Sequence, residues 1–190
     1  MESKKFWKFW IILAASLAGL VLVYATFRFI KQRKDQPEVP EQEDEEVNEG
    51  QIIVKHYNII KEGLTKEGYQ DEQFVRMITA QGIHESSYKG IPFDSPVMTE
   101  NKNMFGMRQP MQRPTLSLGE KGSYASFASL EDSAQDQGMY FKYVSAPETF
   151  TTVDDFVKFL KSKSYYEDSV INYKNGVRSA LAKVNMYLNN

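Results

Sequence analysis

The hydrophobic pattern divides the chain into three stretches. Residues 9–27, FWIILAASLAGLVLVYATF, run for 19 positions without a charge. At about 1.5 Å per helical residue, that run is close to the hydrocarbon thickness of a bilayer. Lys4, Lys5 and Lys8 precede it, and Arg28, Lys31, Arg33 and Lys34 follow it. Trp7, Trp10 and Tyr24 lie near its ends, where amphipathic rings favour the membrane interface. One uncleaved transmembrane helix is therefore expected within a basic-flanked anchor over residues 1–34. Val23-Tyr24-Ala25 leaves a cleavable signal peptide as the alternative, but the run exceeds the roughly 7 to 15 residues of a signal core. The near-symmetric basic flanks do not fix its orientation.

Residues 35–50, DQPEVPEQEDEEVNEG, offer almost nothing to bury; with Pro37, Pro40 and like charges they are expected to form a disordered, solvated spacer. Over 51–190, apolar positions recur at helical spacing. Ile52, Ile53, Tyr57, Ile59 and Ile60 predict a first helix ending near Gly63, with Gly68 in the connection that follows. Phe74, Val75, Met77, Ile78 and Ile83 predict a second helix, N-capped by Asp71. Pro92, Pro96, Pro110 and Pro114 predict loop over 91–122, with at most a short hairpin around 115–127. Three further helices are expected over 130–144, 153–163 and 170–188. Phe156 and Phe159 read as packing residues, and Val177, Leu181, Val184 and Leu188 as one face of the last helix. Tyr88, Phe105, Tyr124 and Phe127 fall in loop, where large rings must cover the core or line a site.

Composition narrows the chemistry. The chain has no cysteine, which excludes disulfide scaffolds, thiolate zinc sites and cysteine nucleophiles. His56 and His84 are its two histidines, too few for a histidine-rich metal centre, so neither metal nor cofactor is expected. The net charge of −2 averages unlike segments. Residues 1–34 hold seven Lys/Arg and one Glu, residues 35–50 eight acids and no base, and residues 51–190 sixteen of each. That balance argues against a nucleic-acid groove. The roughly 140 residues after the spacer suffice for one core and not for two.

Candidate chemistry gathers at the end of the second helix, in Ala80-Gln81-Gly82-Ile83-His84-Glu85-Ser86-Ser87-Tyr88. If the helix ends near Glu85, its C-terminal dipole and the apolar surroundings both oppose ionisation and raise the carboxyl pKa. An acid protonated near neutrality is what protonation of a glycosidic oxygen requires. His84 points about 100° away from its neighbour and reads as packing or solvated. His56 carries no catalytic signal. Arg108 and Arg113 either contact carboxylates of a ligand or brace their loop.

Four elements occur in order: Ala80-Gln81 with Glu85-Ser86; Asn101-Lys102-Asn103-Met104-Phe105-Gly106-Met107; Arg113-Pro114-Thr115 with the stretch Gly122-Ser123-Tyr124-Ala125-Ser126-Phe127 and its continuation to Ser133; and Tyr165-Tyr166-Glu167-Asp168 with Tyr173 and Asn175-Gly176-Val177. Together, from Phe74 to Val184, they resemble the endo-β-N-acetylglucosaminidase family of bacterial cell-wall hydrolases, which includes flagellar muramidase-like domains. The resemblance implies a mainly α, lysozyme-like domain with a short β-hairpin, whose groove lies between the acid-bearing helix and the loop and hairpin region. It makes Glu85 the general acid. It makes Asn103, Phe105, Gly106 and Met107 the groove floor and Tyr124 a sugar-contacting wall. Tyr165 matches the family's site tyrosine, which stabilises developing positive charge or positions the attacking group, and Tyr166 beside it joins the substrate-binding set.

The chain also departs from the family pattern. Many relatives read Gly-Trp-Gly after Glu-Ser where this chain has Ser87-Tyr88-Lys89, which moves the sugar-contacting aromatic to Tyr88. The partner carboxylate on the hairpin has no clear match: Glu120 reads as a turn tip, and Asp94, Glu100 and Asp168 are the other candidates. With a second carboxylate the chemistry is inverting or retaining according to separation. Without one, the substrate's N-acetyl group attacks, or an anhydro sugar forms as in lytic transglycosylases, whose motifs Glu85-Ser86-Ser87 and Gly106-Met107-Arg108-Gln109 faintly echo. The expected activity is cleavage of β-1,4 bonds in peptidoglycan glycan strands. The domain is expected outside the cytoplasmic membrane, tethered by its N-terminal helix, with a non-catalytic wall-binding module as the reading from a different class.

Overall fold

The computed structural model describes residues 48–189. The apolar run at 9–27 and most of the acidic spacer lie outside the described residues. Among the described residues no helix is long and apolar enough to cross a membrane. The domain comprises α1 (Glu49–Lys66), α2 (Glu72–Ser86), α3 (Pro96–Asn101), β1 (Gly119–Lys121), β2 (Tyr124–Ser126), α4 (Leu130–Tyr143), α5 (Val153–Ser162) and α6 (Val170–Leu188). It is mainly helical with one short antiparallel hairpin, in which Glu120 pairs with Ala125.

Each helix starts on a residue chosen by backbone chemistry. Asn48, Asp71, Ser95, Ser129, Thr152 and Ser169 each accept a hydrogen bond from the backbone N–H three residues on. Such a cap contributes about 1 kcal/mol per helix. The cap at Asp71 and the last three helices fall where the sequence predicts them. At the start of the domain Asn48 caps α1, and Glu49 in its first turn accepts from Lys183 Nζ and Tyr187 Oη. Two expectations are corrected. Gly63 does not end α1; it is buried inside the helix, which runs on to Lys66 and is followed by Gly68, a residue with φ of 93°. The proline-rich stretch holds a helix, α3, because Pro96 directly follows the Ser95 cap, where a missing N–H costs nothing.

α1 packs along α4, and α2 along α6. The core between them is aromatic: Phe74 meets Phe141 edge-on at 5.3 Å and Phe150 face-on at 6.0 Å, and Phe150 meets Phe156 at 5.3 Å. Phe156 is fully buried, and Phe159 packs against the core from its edge. On α6 the buried face is Tyr173, Val177, Ala180 and Val184, with Leu181 and Leu188 partly buried beside it. This framework fixes α2, α4 and α6 around the ends that carry the polar residues described next.

Candidate active site

Glu85 lies in the last turn of α2. It follows Phe74, Ile78 and Gln81 at helical spacing, so its side chain leaves the helix on the core-facing side and is half-buried. Gly82 lets neighbouring chain come close. A Cβ there would stand 2.8 Å from a Phe93 ring carbon and 3.3 Å from one of Phe105. Phe105, 1 % exposed, packs on this glycine and brings Gly106 against the acid; a Cβ on Gly106 would lie 3.9 Å from Glu85 Oε2.

The other carboxyl oxygen is held from α6. Tyr173 donates its hydroxyl to Glu85 Oε1 at 2.6 Å. Its ring is fixed by stacking on Tyr166 at 3.8 Å and 3°, and by the edge contact with His84 at 4.7 Å. Gln81 Nε2 donates to the Tyr173 oxygen at 3.5 Å, and Gln137 Nε2 on α4 donates to Gln81 Oε1 at 3.3 Å. Tyr165 donates to the Phe105 carbonyl at 3.3 Å. Burial lifts the Glu85 carboxyl above its ordinary range, and the Tyr173 hydrogen bond partly offsets the rise. Burial, reinforced by the nearby Glu85 charge, keeps Tyr173 and Tyr165 far above the usual phenol range, so both act as protonated donors. Burial pushes His84 down, with Asp168 opposing.

A groove of about 830 Å³ opens over this acid. Glu85, Phe105, Gly106, Met107, Tyr124, Tyr165 and Tyr166, all expected from the sequence, line it, joined by Tyr140, Tyr143 and Tyr173. Two expected residues do not. Tyr88 stands 45 % exposed outside the groove lining, because Lys89 and Gly90, both with positive φ, reverse the chain so that Tyr88 pairs with Ile91. Asn103 is fully buried. It braces the floor from beneath, donating to the Met107 and Ala125 carbonyls and accepting from the Phe105 and Met107 amides.

Arg113 resolves as a brace. Its guanidinium, 6 % exposed, is forked onto the fully buried Asp136 carboxylate, which also accepts from Thr115 Oγ1 and the Leu116 amide. Arg108 lines the groove, exposed. Of the other acids, Glu167 and Asp168 line the groove, while Asp94, Glu100 and Glu120 do not. Asp168, directly before the Ser169 cap of α6, accepts from the Ser169 amide and Asn172 Nδ2. His56 is a packing residue, stacked on Phe93 at 4.3 Å. Among the described residues no group of three or more His, Asp or Glu is placed to hold a metal ion.

The groove thus lays aromatic rings over a half-buried acid whose pKa is raised by burial. Residues 61–186 match the family model Glucosaminidase, described as mannosyl-glycoprotein endo-beta-N-acetylglucosaminidase, and the chain belongs to that family. The fold is shared with a solved chain from a type VI secretion system effector–immunity complex of Pseudomonas protegens, at a TM-score of 0.52 and 18 % identity, over 72 % of this chain and 96 % of that one. No curated protein matches the chain.

Proposed function

We propose that the protein is an endo-β-N-acetylglucosaminidase acting on the glycan strands of peptidoglycan, with Glu85 as its general acid. The observation that carries this reading is the state of Glu85. Its burial favours the protonated form, one oxygen is occupied by Tyr173, and the other lies beside Gly106 at the groove. The proton is thereby directed to Oε2, where a glycosidic oxygen in the groove would receive it as the bond to C1 breaks. Tyr124 and Tyr143, both exposed at the groove, offer faces for sugar rings, and Tyr165 stands near the acid to orient the reacting sugar. Family membership supports the activity class, the N-terminal basic-flanked apolar run supports a membrane tether, and the proposed substrate, not the charge pattern, puts the domain on the side where glycan strands lie.

For the route after protonation, Asp94, Glu100 and Glu120 lie outside the groove lining, and Asp168 at its edge accepts from the Ser169 amide and Asn172 Nδ2. That placement favours attack on C1 by the substrate's own N-acetyl oxygen. The ring so formed is opened by a water that gives its proton back to Glu85, or resolves as an anhydro sugar.

The test is a cell-wall zymogram with mass spectrometry of the released muropeptides. The expected products carry N-acetylglucosamine reducing ends, and Glu85→Gln abolishes them. Undiminished release by Glu85→Gln removes the catalytic assignment. Glycan binding with no new ends favours the wall-binding module. A reporter fused after Asn190 that works only in the cytoplasm contradicts the proposed side of the membrane.

A further inference from the structure

We propose that Gln137 is a positioning residue: by fixing the amide of Gln81 it directs the Tyr173 hydroxyl proton onto Glu85. Gln81 and Gln137 are both fully buried, on α2 and α4, beneath the groove. An amide has one accepting end and one donating end, and its orientation decides which faces a neighbour. Gln81 Oε1 accepts from Gln137 Nε2 at 3.3 Å, so Gln81 must present its Nε2 to Tyr173. The tyrosine oxygen accepts there, and its own proton is left to Glu85 Oε1 at 2.6 Å. The order Gln137, Gln81, Tyr173, Glu85 thus runs donor to acceptor in one direction across three helices.

The arrangement is not one that stability alone would select. Gln137 Oε1 is buried with no hydrogen-bond partner among the described residues, a cost an apolar side chain of the same size would not carry. What Gln137 supplies is its Nε2, which reaches Gln81 and also faces the Tyr165 hydroxyl. Without it, Gln81 Oε1 becomes a buried acceptor lacking a donor. The donor at hand is the Tyr173 hydroxyl, reached by a flip of the Gln81 amide. The tyrosine proton then divides between Gln81 and Glu85, and the carboxylate loses part of its hydrogen bond. The other titratable groups around the acid are Tyr165 before α6, Tyr140 and Arg113 behind it, His84 on α2, and Asp168. Of these groups and Tyr173, it is Tyr173 that hydrogen-bonds Glu85.

This inference rests on the proposed role of Glu85, and the experiment keeps the two apart. The Glu85 carboxyl is titrated by carbon-detected NMR in the full chain and in its Gln137→Met and Tyr173→Phe variants, alongside kcat and KM on peptidoglycan. Gln137→Met is expected to raise the Glu85 midpoint by up to about one pH unit, as Tyr173→Phe does, and to lower kcat roughly tenfold with little change in KM. An unchanged midpoint and kcat in Gln137→Met, with a lowered Tm, overturns the proposal and leaves a packing residue. A raised midpoint together with full activity of Glu85→Gln instead keeps the hydrogen-bond order and overturns the catalytic reading. Should Gln137→Met not fold, Gln137→Leu removes the same donor to Gln81 and is read by the same two measurements.

Discussion

Replacing Gly63 by alanine will destabilise the domain even though alanine is the better helix former by about 1 kcal/mol. Gly63 is buried in α1 where that helix lies against α4. An added Cβ would stand 2.6 Å from Ala134 Cβ, 2.7 Å from the Gln135 nitrogen and 2.8 Å from the Ala134 carbonyl carbon. Carbon atoms rest at about 3.5–4.0 Å, so the two helices must separate by roughly 1 Å. Two of the three obstacles are backbone atoms, and no rotamer change relieves them. Overpacking of this kind costs roughly 1–3 kcal/mol, and a backbone clash belongs at the upper end. After the gain in helix propensity, about 2 kcal/mol of net loss remains, which for a domain of this size lowers Tm by roughly 6–8 °C. Calorimetry and a urea titration measure it. A Tm equal to or above that of the wild type would refute the reasoning, since it would mean that the α1–α4 contact yields more easily than its geometry implies. The same displacement moves Gln137 and Tyr140 on α4, so kcat should fall with Tm.

Three other outcomes follow from the site. Glu85 has a folded pKa above its unfolded value, so between those two values the unfolded chain binds fewer protons and stability declines as pH rises. Glu85→Gln escapes that decline: its Tm should exceed that of the wild type near neutrality and converge with it below about pH 4, and equal melting at neutral pH counts against a Glu85 carboxyl raised by burial. Tyr173→Phe removes the hydrogen bond that favours ionised Glu85, so the alkaline limb of the pH–rate profile should move up; a downward move contradicts the geometry. Arg113→Ala leaves the fully buried Asp136 carboxylate with Thr115 and Leu116 as donors, and should cost about 3 kcal/mol in urea unfolding, with Asp136→Asn in the same chain restoring part. A loss under about 1 kcal/mol would show the ion pair to be dispensable.

Much of the fold was legible because its signals are local. Asp71 precedes an apolar period and caps a helix; the turn residues between Gly119 and Ser126 form the hairpin; the last three helices follow their spacing. The misreadings have one origin: a residue's local meaning depends on what it touches. Gly63 reads as a stop, yet its missing side chain is the space that α4 occupies. Pro96 reads as a breaker, yet after Ser95 it opens α3. Glu49 reads as the last charge of a solvated spacer, yet Lys183 and Tyr187, more than 130 residues on, bind it.

The site divides along the same line. Short motifs placed Glu85, Gly106, Tyr124 and Tyr165 at the groove, because each acts where the chain turns. They also placed Tyr88 and Asn103 there. The first is carried away by a two-residue reversal, and the second spends its side chain on backbone groups. The residues that hold the acid left a different trace. Gln81 follows Phe74 and Ile78, Gln137 stands between Ala134 and Phe141, and Tyr173 precedes Val177 and Ala180, each at core spacing on its own helix. A single polar residue on an apolar face is a modest loss of stability that one helix can tolerate. Three of them on three helices form a hydrogen-bonded chain once those helices pack, and that chain ends on the Glu85 carboxyl, the proposed acid. The periodicity that predicts the core thus also marks the groups that set the acid, through the positions where it is broken.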